Sequence, residues 1–584
     1  MSGAFLVSID VDSILTALEQ SRLIEDVTMA DGLLPAIKCR NVIVTFDGLA
    51  EIEGHPIRIQ IGLDAFFPLS LPIICLAKPE KLGFPPHIET DGNICYAEKE
   101  GLLLNQNNPS GIVEQALHKA IETVKKGLKQ ENKVDYVDEF ELYWGRLANA
   151  QIFISFISPD NQLRKITILK KQVETNIFYF ACDDVRTVQS FYNLSNPPSE
   201  THYSGLYIPL KAGTIVVPPR PGTFWKLEDI QKLATDNLSK RLNKLLKQFT
   251  RKWKREEIVI FGLPRASGGT TLFGVLCAGI ENNHPLRSGS TVQSISPLIA
   301  ERRDLNYLLP RGGVASDFQY AHVLLIGCGA IGGFLAADLV RAGILNLTLL
   351  DPDKLSIENT FRHILGREYV DKFKVEALKE EIGRKYPYTK IITISEAIES
   401  VLSKNSINFD QFALIIVATG NPTVNLYLNS LIHSSKAAIP TIYVWLEPYG
   451  IGGHVLLAQN NKQGCLECLY TTPIDDDSES YLYNRASFAA SGQSFARSLS
   501  GCGGSFTPYG ALHAVKTANL ACEIAIDVLA GNAEGNPLIS WKGGSKAFLE
   551  AGFKLSSRYN MPETELYQHR FDYQNAHCKV CGHK

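Results

Sequence analysis

Three groups of residues in the chain have types and spacings suited to chemistry. Cys95 stands in the run FPPHIETDGNICYAEKEG, directly after a glycine turn and an isoleucine. A cysteine so placed is either a buried small hydrophobe or a nucleophile held at a surface. Gly327, Gly329 and Gly332 stand in GCGAIGG, between the apolar run HVLLI and a helical pattern, and the next apolar run, NLTLLD, ends at Asp351. Glycines at those offsets let the backbone turn tightly and approach a phosphate at a helix N-terminus, while an acid at the second strand end accepts hydrogen bonds from a ribose hydroxyl. A nicotinamide-dependent oxidoreductase would carry the same pattern, so the turn alone names a nucleotide and no reaction. The third group is two Cys-x-x-Cys pairs, Cys465 with Cys468 and Cys578 with Cys581. Their spacing leaves open a tetrahedral metal site, a redox dithiol or chance.

Composition bounds what can position these residues. A chain of 584 residues exceeds one core and calls for about three or four domains. A net charge of -3 with 20% charged residues gives no global attraction to nucleic acid or to an acidic membrane surface. No apolar window long enough for a membrane span occurs, and the N-terminus lacks an export signal, so the twelve cysteines are expected to stay reduced, in the cytoplasm. The one strongly basic run, KRLNKLLKQFTRKWKREE (240–257), spaces Leu242, Leu245, Leu246, Phe249 and Trp253 as on a helix. That predicts an amphipathic helix with a solvated basic face.

Periodicity divides the chain in three, and the fold class it predicts is multi-domain α/β. Residues 1–148 open on the helical pattern DVDSILTALEQSRLIED, continue through the strand-like runs AIKCRNVIVTFDG, PIRIQIGLDAFF and LPIICLAKP, and close on a helix from Ser110, an α+β order. Residues 149–300 alternate short β-like runs with Pro- and Gly-rich loops and read as an α/β linker domain without a nameable motif. From 301 to 584 the order becomes strand, glycine turn, helix, which predicts a parallel, doubly wound, Rossmann-like sheet.

Beyond Asp351, DPDKLSIENTFRHILG supplies Asp353, Asn359 and Arg362, and DKFKVEALK adds Lys374. With these residues the last domain resembles the ubiquitin-activating and ThiF/MoeB adenylyltransferase family. The resemblance implies ATP with magnesium, and Asn359, Arg362 and Lys374 on the phosphates while a protein's C-terminal carboxylate attacks the α-phosphorus. Departing pyrophosphate needs such cations, and hydride transfer does not. It also implies one structural zinc on Cys465, Cys468, Cys578 and Cys581, a first thioester on Cys502 of SGCGGSFTPYG, a homodimer, and an arginine finger, for which AERRDLNYLLPRGG offers Arg302, Arg303 and Arg311. The family's magnesium-binding Asp is replaced by Gly420 in IIVATGNPTVN, which leaves the metal to Asp353 or to ATP itself.

The runs FFPLSLP, PPHIETDGNICYAE and NPSGIVEQALHKAI resemble the core of ubiquitin-conjugating enzymes, and DEFELYWG (138–145) resembles bacterial versions of it. The match makes Cys95 the thioester cysteine. The usual His-Pro-Asn triplet reads His87-Ile88-Glu89, so the oxyanion-stabilising Asn has no counterpart. The domain order resembles the fusion enzyme of CBASS antiphage operons. It implies activation of a donor protein's C-terminus, from a cGAS-like nucleotidyltransferase or a ubiquitin-like protein, then capture at Cys502, transthiolation to Cys95 and conjugation to a target amine. The alternatives are a sulfur-carrier adenylyltransferase with an N-terminal docking domain and a non-catalytic nucleotide-binding scaffold.

Overall fold

A computed structural model describes residues 9–582 except 99, 175, 193, 195–200, 221, 315, 436–437, 472–481 and 499–504. The chain forms two compact units, one of Met1–Val185 with Pro197–Asp304, the other of Arg186–Asn196 with Leu305–Lys584.

The first unit begins with helix α1 (Val11–Gln20), whose N-cap Asp10 accepts the Ser13 N–H at 3.1 Å and whose Ile14 and Leu18 turn one apolar face inward. Strands β1 (Glu25–Met29), β2 (Val42–Ile52), β3 (His55–Asp64) and β4 (Ile73–Leu76) follow as an antiparallel meander in that order. Helix α2 (Pro109–Lys129), capped by Asn108, buries Val113, Leu117, Ala120 and Val124 in the same core as Phe46, Ile59 and Ile61 of the sheet. The short helix α3 (Phe140–Gly145) then carries Phe140 and Trp144, both fully buried, into the strands beyond. The Trp144 indole N–H donates to Leu298 O at 3.0 Å, and the Phe140 ring lies 4.5 Å from that of Phe273.

Those strands are β5 (Gln151–Ser155), β6 (Arg164–Val173), β7 (Asn176–Cys182), β8 (Thr201–Pro209), β9 (Glu256–Pro264), β10 (Thr270–Ala278) and β11 (Ser294–Arg302). They close into a barrel in the order β10-β11-β5-β7-β6-β8-β9, a topology that the alternating runs of the sequence do not specify. Helices α4 (Leu227–Asp236) and α5 (Lys240–Phe249) lie in the connection between β8 and β9. The expected helix over 240–257 is thus shorter. It stops at Phe249 with Thr250 as its C-cap, whose N–H and hydroxyl both donate to Leu246 O, at 3.0 and 2.8 Å. Leu246 is buried as expected, whereas Trp253 lies past the end of the helix, 41% exposed.

The second unit is built on a seven-stranded sheet. β12 (His322–Ile326), β13 (Asn346–Leu350), β14 (Lys390–Ile394), β15 (Leu414–Val417) and β16 (Thr441–Leu446) are parallel. β17 (Gly452–Ala458) and β18 (Leu538–Lys542) add two antiparallel strands, for an order β14-β13-β12-β15-β16-β17-β18. Its central strands are buried along almost their whole length because helices cover the sheet. These are α6 (Ala330–Arg341), α7 (Lys374–Lys385), α8 (Pro422–Ser434) and α9 (Ala511–Leu529). Leu335 and Leu339 of α6 share a core with Ala518, Ala521 and Ala525 of α9. Among the described residues no helix is long and apolar enough to cross a membrane.

Candidate active sites

The strand-turn-helix order at β12 builds the first site. Gly327 takes φ +93°, and Gly332 packs so closely beneath it that a Cβ would lie 1.9 Å from Gly327 O. Only glycine lets α6 begin there. A Cβ on Gly329 would meet nothing within 4 Å, because that position faces a cavity at the N-terminus of α6. The cavity, about 460 Å³, is also lined by Asp351, Asp353, Asn359, Arg362 and Lys374. Of the residues expected at a nucleotide, all but the supporting Gly332 and the arginine-finger candidates line this one space.

Charge in the cavity is fixed by backbone and by pairing. The Asp351 carboxylate accepts the Cys328 N–H at 2.7 Å and the Asp353 N–H at 2.9 Å. The buried Lys374 ammonium lies 2.8 Å from Asp353 Oδ2 and 3.9 Å from Asp351 Oδ1. Arg362 stands with its guanidinium 5.5 Å from the centre of the Tyr509 ring. Asn359 Oδ1 accepts the Ser356 N–H at 3.4 Å, which shapes the turn leading to Arg362. Sequence reasoning missed His363 and Tyr509. His363 Nδ1 accepts the Leu365 N–H at 3.1 Å, so Nε2 is the donor to Cys328 O at 2.9 Å; burial holds the ring below its ordinary pKa and neutral. That bond ties the Arg362 segment to the glycine turn. His363 could have been noticed beside Arg362, but nothing in the local pattern marks Tyr509.

The three candidate arginines are placed elsewhere. Arg302 is buried in a bidentate pair with Asp304, at 2.8 and 2.9 Å, and donates to Thr270 O. It braces the barrel. Arg303 pairs with Glu301, and the Arg311 guanidinium lies 4.2 Å from the centre of the Tyr307 ring. Neither lines the cavity. Gly420, where the family's Asp would stand, takes φ +72°, and the next residue, Asn421, uses its side chain to cap α8. Cys502 lies outside the described residues.

The two Cys-x-x-Cys pairs meet in the second unit. The sulfurs of Cys465, Cys468, Cys578 and Cys581 all lie within 4.8 Å of one another, the Cys465 and Cys578 pair at 3.8 Å. Zinc–sulfur bonds of about 2.3 Å in a tetrahedron give sulfur separations of about 3.8 Å. The Asn429 amide N–H and the Val580 N–H each approach a sulfur at 3.5 Å, the donors that thiolates on a metal accept. Four thiols this close cannot ionise together without a cation among them, so the cluster fits a bound metal.

The Cys95 site is a hairpin in the first unit. Ile88 bridges Ile94 and both are buried, while Gly92 at φ +94° allows a turn in which a Cβ would strike Leu76 O at 2.2 Å. Alternation then puts His87, Glu89, Asn93 and Cys95 on the opposite, outer face. The Cys95 N–H donates to His87 O at 2.8 Å, and its exposed thiol lies 3.7 Å from Glu89 Oε1. Cys95 is thus a surface thiol and no core residue. Glu89 in turn pairs with Arg40 at 3.5 Å and Arg146 at 3.2 Å. The His87 ring is taken up by Glu139 at 3.1 Å and Asp135 at 2.8 Å, and these acids, Glu139 foremost, raise its pKa to about 9. Crowding by the protein, then the Glu89 charge, holds the Cys95 thiol above the ordinary cysteine range.

The two sites fall within two family matches. The ThiF family model matches residues 306–536, and the Prokaryotic E2 family B model matches residues 38–153. An ATP-dependent ubiquitin transferase-like protein Cap2 of Pseudomonas aeruginosa is 24% identical over 82% of this chain and 86% of its own. One of Escherichia coli is 21% identical over 86% and 89%, and one of Vibrio cholerae 26% identical over 43% of each. Both family domains thus lie on this one polypeptide, a prokaryotic E2 family B domain followed by a ThiF family domain.

Proposed function

We propose that the enzyme adenylates the C-terminus of a donor protein, captures it as a thioester and conjugates it to a target amine. In this reading residues 301–584 adenylate, residues 1–148 conjugate and residues 149–300 link them. The observation that supports it most is the meeting of Arg362, Lys374 and the glycine turn at one cavity. Fixed cations beside a phosphate cradle suit a reaction in which pyrophosphate departs.

The glycine turn and the N-terminus of α6 would take the ATP phosphates, Asp351 a ribose hydroxyl, and Asn359, Arg362 and Lys374 the polyphosphate. Magnesium would supply further charge at the polyphosphate, held by Asp353, whose carboxylate pairs with Lys374 at 2.8 Å, or by ATP alone. A donor carboxylate oxygen attacks the α-phosphorus and pyrophosphate leaves. The Cys502 thiolate then attacks the acyl carbon and AMP leaves; the Cys95 thiolate displaces Cys502, and an amine displaces Cys95. One structural zinc on Cys465, Cys468, Cys578 and Cys581 would close the last residues of the chain onto the domain. In a cytoplasmic homodimer, Arg303 or Arg311 would serve as an arginine finger.

The resemblance in domain order to the CBASS fusion enzyme supports a cGAS-like nucleotidyltransferase as the donor. The test is ATP–pyrophosphate exchange with such a donor. Exchange that requires its native free C-terminus is the expected result. Exchange that persists with an amidated C-terminus would show that another group is being activated.

A further inference from the structure

We infer that Glu89 is a further catalytic residue of the conjugation step, the carboxylate that draws in the target ammonium beside the Cys95 thioester and takes its proton. The inference rests on the conjugation reading above and deepens it. Three observations carry it. Glu89 Oε1 lies 3.7 Å from Cys95 Sγ, close enough to touch whatever attacks an acyl group there. The hairpin between the Ile88–Ile94 bridge fixes both residues on the outer face, so the proximity is built into the backbone. Arg40, 3.5 Å from Oε2, and Arg146, 3.2 Å from Oε1, come from two other parts of the unit and hold the carboxylate in place. Half-exposed pairs of this kind add little stability, but they set the direction in which the carboxylate points.

A carboxylate is the wrong neighbour for a thiol that needs only to be a strong nucleophile, since reactive cysteines are placed beside cations. It is the right neighbour for an uncharged thioester that awaits a cationic lysine. The ammonium gives one proton to Glu89 and becomes an amine. Its nitrogen then forms the bond to the acyl carbon, and the carbon–sulfur bond breaks. The departing sulfur takes a second nitrogen proton to end as a thiol, and Glu89 returns its proton to water. The raised thiol pKa agrees with that last protonation. His87, the other titratable group of the face, is occupied by Asp135 and Glu139.

The test loads Cys95 directly, without a donor or ATP. A fluorescent glycine-ended peptide, as its mercaptoethanesulfonate thioester, is exchanged onto the full chain carrying Cys39→Ser and Cys502→Ser, and mass mapping confirms the position. Discharge is then followed with free lysine and, separately, with hydroxylamine, which is neutral at pH 7. Glu89→Gln is expected to slow discharge to lysine about 10²-fold while changing discharge to hydroxylamine by less than about twofold. Lysine discharge that is unchanged in Glu89→Gln overturns the inference. So does an equal loss with both nucleophiles, which would make Glu89 a structural support. If the unsubstituted Cys95 thioester discharges to lysine no faster than the same peptide on N-acetylcysteine, the conjugation reading falls, and this inference with it.

Discussion

At the nucleotide cavity and at the Cys95 hairpin, cations and carboxylates exchange places. In the cavity Lys374 is buried between Asp353 and Asp351, and Arg362 stands over Tyr509, so cationic charge is fixed where a polyanion would lie. At the hairpin Arg40 pairs with Oε2 of Glu89 and Arg146 with Oε1, and it is the carboxylate that lies 3.7 Å from the reacting sulfur. The difference follows the chemistry proposed for each. Departing pyrophosphate carries its charge throughout the step, and preorganised cations stabilise it. A thioester is neutral and its attacker arrives as a cation. The two sites also differ in how they are made. The cavity hangs on one glycine turn, whereas the hairpin face is completed by acids and arginines from distant parts of the chain.

If the two sites are separate devices, damage to one should spare the other, and the variants below test that from the strongest downward. Cys578→Ser with Cys581→Ser should remove about one metal equivalent per chain and lower the unfolding temperature of the second unit. Iodoacetamide labelling of Cys95 should stay as it was. Full metal content in the double variant would place the ligands elsewhere. Trp144→Ala should destabilise the first unit by about 3–5 kcal/mol, since it empties a large buried site and leaves Leu298 O without its donor. Pyrophosphate exchange should persist in that variant; its loss would tie the two sites together. Arg362→Ala or Lys374→Ala should each cut exchange about 10²- to 10³-fold, with Cys95 labelling again unchanged.

The smallest expected effect is on pH. His87 titrates near 9 in the fold against 6.5 for an ordinary histidine. A raised pKa contributes stability that is complete below the ordinary value and is lost as pH rises through the folded one. The first unit should therefore lose stability as pH climbs through about 9, by a modest amount because the pairs are only half-buried. A denaturant midpoint measured across that range would check it, with His87→Asn as the variant in which the slope flattens. An unchanged slope would remove the Glu139 and Asp135 pairing as its cause.

Much of the cavity was legible because its parts lie close together in sequence: a strand, a glycine turn, a helix and an acid within one βαβ unit, then Asn359, Arg362 and Lys374 soon after. Local pattern also showed the helices and the meander of the first unit. The barrel was not legible, because β5 pairs with β11 and β7, and β8 with β9, across long intervals that no window can span. Trp253 followed the helical spacing of its neighbours, yet the helix stops at Phe249 with Thr250 as its C-cap, an end that the period does not register. At the hairpin, Cys95 and the missing Asn were visible. The partners Asp135, Glu139 and Arg146 were not, since only folding carries them to His87 and Glu89.

The central claim is the order of the relay, in which acyl groups enter at Cys502 and leave through Cys95. The direct measurement is non-reducing electrophoresis of the chain with ATP and a cGAS-like nucleotidyltransferase, repeated with reductant, followed by mass mapping of the modified cysteine. Cys95→Ala should retain a reducible adduct on Cys502 and transfer nothing to an amine, and Cys502→Ala should still exchange pyrophosphate yet form no adduct at Cys95. A normal Cys95 adduct in the Cys502→Ala chain would contradict the relay and show direct transfer from the adenylate.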